Sequence, residues 1–94
     1  MKPYSDTIFD DGSFIRIFDS ENTTEDEYVW HRDRHDRIVE VLQSGDGCNE
    51  WEFQFEDELP MPVEEGQTIS IKKELYHRLI KGSGTLILKI TEFP

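Results

Sequence analysis

The sequence predicts an all-β domain, a sandwich or barrel of short strands. Three observations predict it. Apolar residues alternate with period two through most of the chain. Turn signals recur every 8–12 residues or so. No segment carries an apolar stripe at helical spacing; the best candidate, "TTEDEYVW", lacks one. Taken in order, "SFIRIFD" (13–19) alternates, with Ile15 and Ile17 on one face and Phe14, Arg16 and Phe18 on the other. The polar run "SENTTEDE" (20–27) reads as a loop. "EYVWHRD" (27–33) reads as a strand, because Tyr, Val and Trp favour pleated surfaces. "RIVEVLQ" (37–43) is another, closed by the turn "SGDG" (44–47). "EWEFQFE" (50–56) is the cleanest strand, with Trp51, Phe53 and Phe55 on one side and Glu50, Glu52, Gln54 and Glu56 on the other. The prolines of "LPMPV" rule out a central strand there. After the turn "EEG", "QTISIKK" (67–73) alternates Ile69 and Ile71. "YHRLIK" (76–81) and "TLILKITEF" (85–93) flank "GSG", read as a hairpin turn. The total is seven or so strands, with no internal repeat, linker or low-complexity tract.

Bulk properties narrow the function. Ninety-four residues support one domain, taken as 1–94, and one modest core. Hydrophobic residues are only 35% of the chain, but six Phe, three Tyr and two Trp help fill an interior. A formal net charge of −11 repels phosphate backbones and anionic lipid, so neither nucleic acid nor membrane is an expected partner. No apolar run reaches a membrane-spanning length, and "MKPYSDTIFDDGS" has no signal-like core, so a cytoplasmic location is expected. The lone Cys48 cannot form an internal disulfide, in keeping with a reducing compartment.

Chemistry-bearing residues concentrate in "VWHRDRHDR" (29–37), with two His, two Asp and three Arg. Together with "GQTISIKKELYH" (66–77), this stretch resembles the paired motifs of the cupin family, over roughly residues 28–92. The family's first motif is His-x-His, three or four residues, Glu, about six more, and Gly. Here His31 is followed by Asp33 at the second His position, Arg37 at the Glu position and Gly45 near the turn. The second motif is Gly, five residues, Pro-x-Gly, two residues, His. Gly66 and His77 keep that spacing, whereas Lys72 and Glu74 replace the Pro and second Gly. The segment between the motifs, 50–66, is similar to the family's connecting hairpin. The resemblance implies a jelly-roll barrel (a double-stranded β-helix) whose first-motif residues and second-motif His point inward. It also implies dimerisation. Alternation independently places Arg37, Val39 and Val41 on the face of His31 and Asp33, leaving Ile38, Glu40 and Leu42 outside.

His31, Asp33 and His77 form a two-His, one-carboxylate set, which suits Fe(II) and also accepts Mn, Zn or Ni. Arg37 opposes this. A guanidinium is not a ligand, and two unit charges at ~4 Å interact by about 4 kcal/mol at an effective dielectric near 20. A divalent ion would feel about twice that repulsion unless Arg37 swings away or a carboxylate intervenes. The alternative is a metal-free net built on an Arg37–Asp33 pair. His35 falls in a turn and reads as solvated. Arg32, Arg34 and Arg78 should face outward, and Trp30 and Tyr76 should lie on the outer face or a subunit seam.

Three functions remain open. The first is a small cupin holding a small polar molecule, with Asp33 and Gln54 as ligand contacts, His31 or His77 as base, and Arg37 binding an oxyanion. The second is a metal-dependent oxygenase or isomerase using His31, Asp33 and His77. The third is a non-catalytic sensor or accessory homodimer, with Ile38 and Leu42 on its face. No phosphate loop, Cys-pair zinc pattern, nucleophile elbow or calcium loop is present.

Overall fold

The structure, a computed structural model, describes residues 4–21 and 30–94. Among the described residues eight strands follow in order: β1 (Tyr4–Ile8), β2 (Phe14–Asp19), β3 (Asp36–Ser44), β4 (Glu52–Phe55), β5 (Met61–Pro62), β6 (Thr68–Ile71), β7 (His77–Ile80) and β8 (Thr85–Phe93). No helix forms among the described residues. A five-stranded sheet runs β1-β2-β8-β3-β6, and a three-stranded sheet runs β5-β4-β7; every pairing is antiparallel.

Alternation builds the core. The nine residues of β8 lie between β2 and β3 and turn Leu86, Leu88 and Ile90 inward. Phe14 and Phe18 of β2, Val39 and Val41 of β3, and Ile69 and Ile71 of β6 face the same interior. The smaller sheet supplies Phe53 and Leu79, with Trp51 just before β4. Trp51 is fully buried, its ring 6.2 Å from that of Phe18, so the two sheets close over one core. Its indole N–H donates to the Ser83 carbonyl at 3.1 Å, satisfying the one polar atom it takes inside. Ile38 and Leu42 lie outside as expected, and Leu42 falls where the β3–β8 register slips between Val41 and Gln43.

Several expectations need correction. The 27–33 strand is not formed by residues 30–33; residues 27–29 lie outside the described residues. Only an isolated bridge joins His31 to His77. The ladder stops because Glu74, on the partner segment, adopts φ +64° and turns that chain away from extended pairing. "GSG" is not a hairpin turn. β7 belongs to the smaller sheet and β8 to the larger, so the segment carries the chain across the core. Gly82 is required there, since a Cβ would lie 2.5 Å from the Trp51 amide nitrogen. β1 was not foreseen, because the side chains of Ser5, Asp6 and Thr7 give this edge strand no apolar face.

Candidate metal centre

His77 opens β7 and is 3% exposed. The Phe53 ring stacks on its imidazole, with centroids 5.5 Å apart. Its Nδ1–H donates to the Leu75 carbonyl at 2.8 Å. That bond fixes the ring and, in the neutral tautomer, leaves the Nε2 lone pair directed at the interior. His31 reaches the same place through backbone pairing. Its N–H donates to the His77 carbonyl at 3.0 Å, and the His77 N–H returns a bond to the His31 carbonyl at 2.9 Å. The two rings consequently meet edge to face, centroids 4.4 Å apart.

Asp33 lies two residues beyond, on a stretch stitched to the second segment at three points. The Glu74 N–H donates to the Asp33 carbonyl at 2.8 Å, the Lys73 N–H to Asp36 Oδ1 at 2.8 Å, and Arg32 pairs with Glu74 at 3.1 Å. The Asp33 carboxylate is nearly buried and faces two ways. Oδ1 lies 3.5 Å from Arg37 Nη1, and Oδ2 lies 3.2 Å from His77 Nε2. Burial is the largest influence on this carboxyl and pushes its pKa up. The His77 contact, the Arg37 charge and the charges of the two imidazoles outweigh it, holding Asp33 below its ordinary value of 3.8. Oδ2 is buried and has no hydrogen bond of good geometry. The lowering by His77 requires a proton on Nε2, which with Nδ1–H committed to Leu75 only a doubly protonated ring carries; a neutral His77 would instead turn a lone pair toward that oxygen. Two acceptors so close repel unless a second proton or a cation lies between them.

His31, Asp33 and His77 each offer a ligand atom within 4.8 Å of the others, and no other such group of three occurs among the described residues. Adjacent ligands of an ion bonded at about 2.1 Å sit ~3 Å apart, so the widest pair would draw in by ~1–2 Å on loading. The donor set fits a divalent ion. Arg37 does not occupy its place. Arg37 lies on β3 opposite Glu92 of β8, and its Nε donates to Glu92 Oε2 at 3.3 Å. Asp33 thus stands between the guanidinium and the imidazoles, which is the intervening carboxylate that a metal would require.

Gln54 is the site residue that the structure removes from this cluster. It lies on the far face of β4, accepting from Arg78 Nε at 2.9 Å and donating to the Glu58 carbonyl at 3.0 Å. The period-two pattern puts Gln54 opposite Phe53 and Phe55, so a place at the barrel interior conflicted with the chain's own alternation. Outside the cluster, His35 is half-buried, and Arg32 and Arg34 are exposed. Arg78 lies over the half-exposed Trp30, its guanidinium carbon 4.8 Å from the ring centroid.

Two residues went unread. Arg16 is 7% exposed and forks onto Asp6, Nε to Oδ1 at 2.8 Å and Nη2 to Oδ2 at 3.0 Å. Glu92 holds Arg37. Each occupies the inward phase of an apolar strand, as Phe14-x-Arg16-x-Phe18 and Leu88-x-Ile90-x-Glu92. A charge on an apolar face was the available signal. Beside the triad lies a cavity of about 40 Å³, with Arg16, Arg37, His31 and His77 in its wall and Phe18, Phe53 and aliphatic side chains around the rest.

No sequence-family model matches the chain, and no curated protein matches it. Solved structures do. A cupin-2 domain protein from Shewanella frigidimarina superposes with a TM-score of 0.65 at 18% identity, over 99% of this chain and 84% of the other. A cupin domain from Bordetella pertussis gives 0.62 at 14% identity, over 100% and 99%. An Fe(II) form of HppE gives 0.58 at 14% identity, over 86% of this chain and 41% of that larger one. At these identities the likeness is one of fold. The class is therefore an all-β cupin jelly roll, and this chain has that fold with a His-Asp-His cluster inside it.

Proposed function

We propose that this chain is a small metal-binding cupin in which His31, Asp33 and His77 hold one divalent ion beside the cavity. The observation that carries the reading is the 3.2 Å approach of Asp33 Oδ2 to His77 Nε2 beside His31, a contact that a cation satisfies where the imidazole is neutral. The Fe(II) named for one structural neighbour supports metal binding on this fold. A bound divalent ion would supply Lewis-acid polarisation to a small ligand at its open positions. The chain's own residues do the rest. The Leu75 carbonyl keeps His77 in the ligating tautomer. Arg37, held by Glu92, keeps the Asp33 carboxylate ionised and oriented. Phe53 and the aliphatic wall limit water.

A second reading rests on the same contacts. A doubly protonated His77 would make Asp33, Arg37 and His77 a closed ion-pair net with no metal. Metal analysis of untagged protein separates the two. The metal reading predicts close to one ion per chain after loading with Fe(II), Mn(II), Ni(II) or Zn(II), lost in His77→Ala. Failure to retain any of the four refutes it.

A further inference from the structure

The two oxygens of Asp33 face different neighbours, and only one is turned to the histidines. Oδ2 lies 3.2 Å from His77 Nε2, whereas Oδ1 lies 3.5 Å from Arg37 Nη1. Arg37 stands where the motif of the resembling family has Glu, so this chain sets a cation where a further carboxylate would be. The guanidinium has three neighbours. Its Nε donates to Glu92 Oε2 at 3.3 Å, a contact fixed by the Arg37–Glu92 register of β3 and β8. Its carbon lies 6.0 Å from the Phe14 ring centroid, at the limit of a cation–π attraction. Asp33 Oδ1 is the third. With a side chain only 15% exposed, Arg37 is a standing positive charge beside one oxygen of the carboxylate.

That charge bears on how Asp33 can ligate. An ion bonded to both oxygens would lie about 2.1 Å from each, and so within roughly 6 Å of Arg37 Nη1, in a half-buried setting where like charges are weakly screened. Ligation through Oδ2 alone leaves the carboxyl carbon and Oδ1 between the two cations. The consequence differs among ions. Imidazole suits Zn(II), Fe(II) and Ni(II), whereas Mn(II), Mg(II) and Ca(II) draw on oxygen donors. With Oδ1 withheld, the donor set is two imidazoles and one oxygen, and the loss falls on the oxygen-seeking ions. We infer that Arg37 is a positioning residue that selects the metal: it retains Oδ1, limits Asp33 to one-oxygen ligation, and favours Zn(II)-like ions over Mn(II)-like ones. This rests on the metal reading above.

Calorimetric titration of metal-free protein with Zn(II) and with Mn(II), in the parent, Arg37→Gln and Arg37→Lys, tests it. Removing the charge should tighten both ions, but Mn(II) at least tenfold more than Zn(II). Arg37→Lys keeps a cation beside Oδ1 and should hold the parent's ratio of affinities within about threefold. Arg37→Gln combined with Glu92→Gln removes both members of the β3–β8 ion pair and reads the same ratio if the single variant does not fold. Infrared difference spectra, with the Asp33→Asn signal subtracted, should show one-oxygen carboxylate ligation in the Zn(II)-loaded parent and two-oxygen ligation in Mn(II)-loaded Arg37→Gln. Equal tightening of the two ions in the glutamine variants overturns the inference alone, as does a shift in Arg37→Lys as large as in Arg37→Gln, or two-oxygen ligation in the parent. Absence of uptake of either ion by the parent overturns both it and the proposed function.

Discussion

Asp33→Asn tests the account at the residue where its parts meet. The substitution keeps the shape and removes one charge that serves two neighbours. Toward Arg37 the lost pair spans 3.5 Å, a gross attraction of about 5 kcal/mol at an effective dielectric near 20. Most of that is offset by the desolvation of a carboxylate whose side chain is only 10% exposed, and Glu92 remains on Arg37 at 3.3 Å. The net loss expected for the metal-free protein is about 1.5–2 kcal/mol, the low end of the range for a hydrogen bond to a charged group, because Glu92 stays on Arg37. For a domain of this size that lowers Tm by roughly 5–15 °C. Toward the imidazoles the consequence is larger. In the parent protein, metal at a hundredfold its Kd adds about 2.7 kcal/mol, which raises Tm by roughly 10–20 °C. Asp33→Asn should abolish that rise. Thermal denaturation by circular dichroism, run with and without Zn(II) or Mn(II), reads both effects. The reasoning is refuted if Asp33→Asn responds to metal as the parent does, or if the parent does not respond.

Other outcomes follow from the surrounding structure. Asp6→Asn takes the forked carboxylate from Arg16, whose side chain is 8% exposed, and should cost about 2 kcal/mol; a Tm change of under ~3 °C would show that pair to be idle. Gly45→Ala should cost about 2–3 kcal/mol by urea unfolding, since φ is +69° and the new Cβ would clash with the Ser83 carbonyl oxygen; an unchanged midpoint would contradict the close approach. Glu74→Gly trades a half-exposed ion pair with Arg32 for relief at φ +64°, so stability should stay within about 0.5 kcal/mol. A loss above ~1.5 kcal/mol would assign Glu74 a larger structural part.

Much of the fold was legible because it is written in period two. The inward set of β3, Arg37, Val39 and Val41, and the inward aromatics Trp51 and Phe53, follow from alternation alone. The spacing from Gly66 to His77 identified the second site segment even though Pro and Gly are replaced. Glu74, at the position of the motif's second Gly, adopts φ +64°, in the left-handed region that favours glycine. Pairing was less legible than phase. Whether β7 turns back on itself or crosses to the other sheet depends on the space around Gly82, and nothing local to "GSG" records that. Residues 30–33 of the expected strand stay out of a ladder for a similar reason: their partner segment turns at Glu74, 41 residues on from Asp33. At the site, residue types announced His31, Asp33 and His77. The question of whether Arg37 blocks a metal depended on register, since Glu92 faces Arg37 only through the β3–β8 ladder.

The most direct measurement is anomalous X-ray diffraction from crystals of the metal-loaded protein, recorded at the absorption edge of the added ion. The account predicts one dominant anomalous peak per chain within bonding distance of His31, Asp33 Oδ2 and His77 Nε2, with Arg37 still turned to Glu92. A peak only among surface carboxylates such as Glu64 and Glu65, or no peak while Arg37 and a protonated His77 close on Asp33, would contradict it.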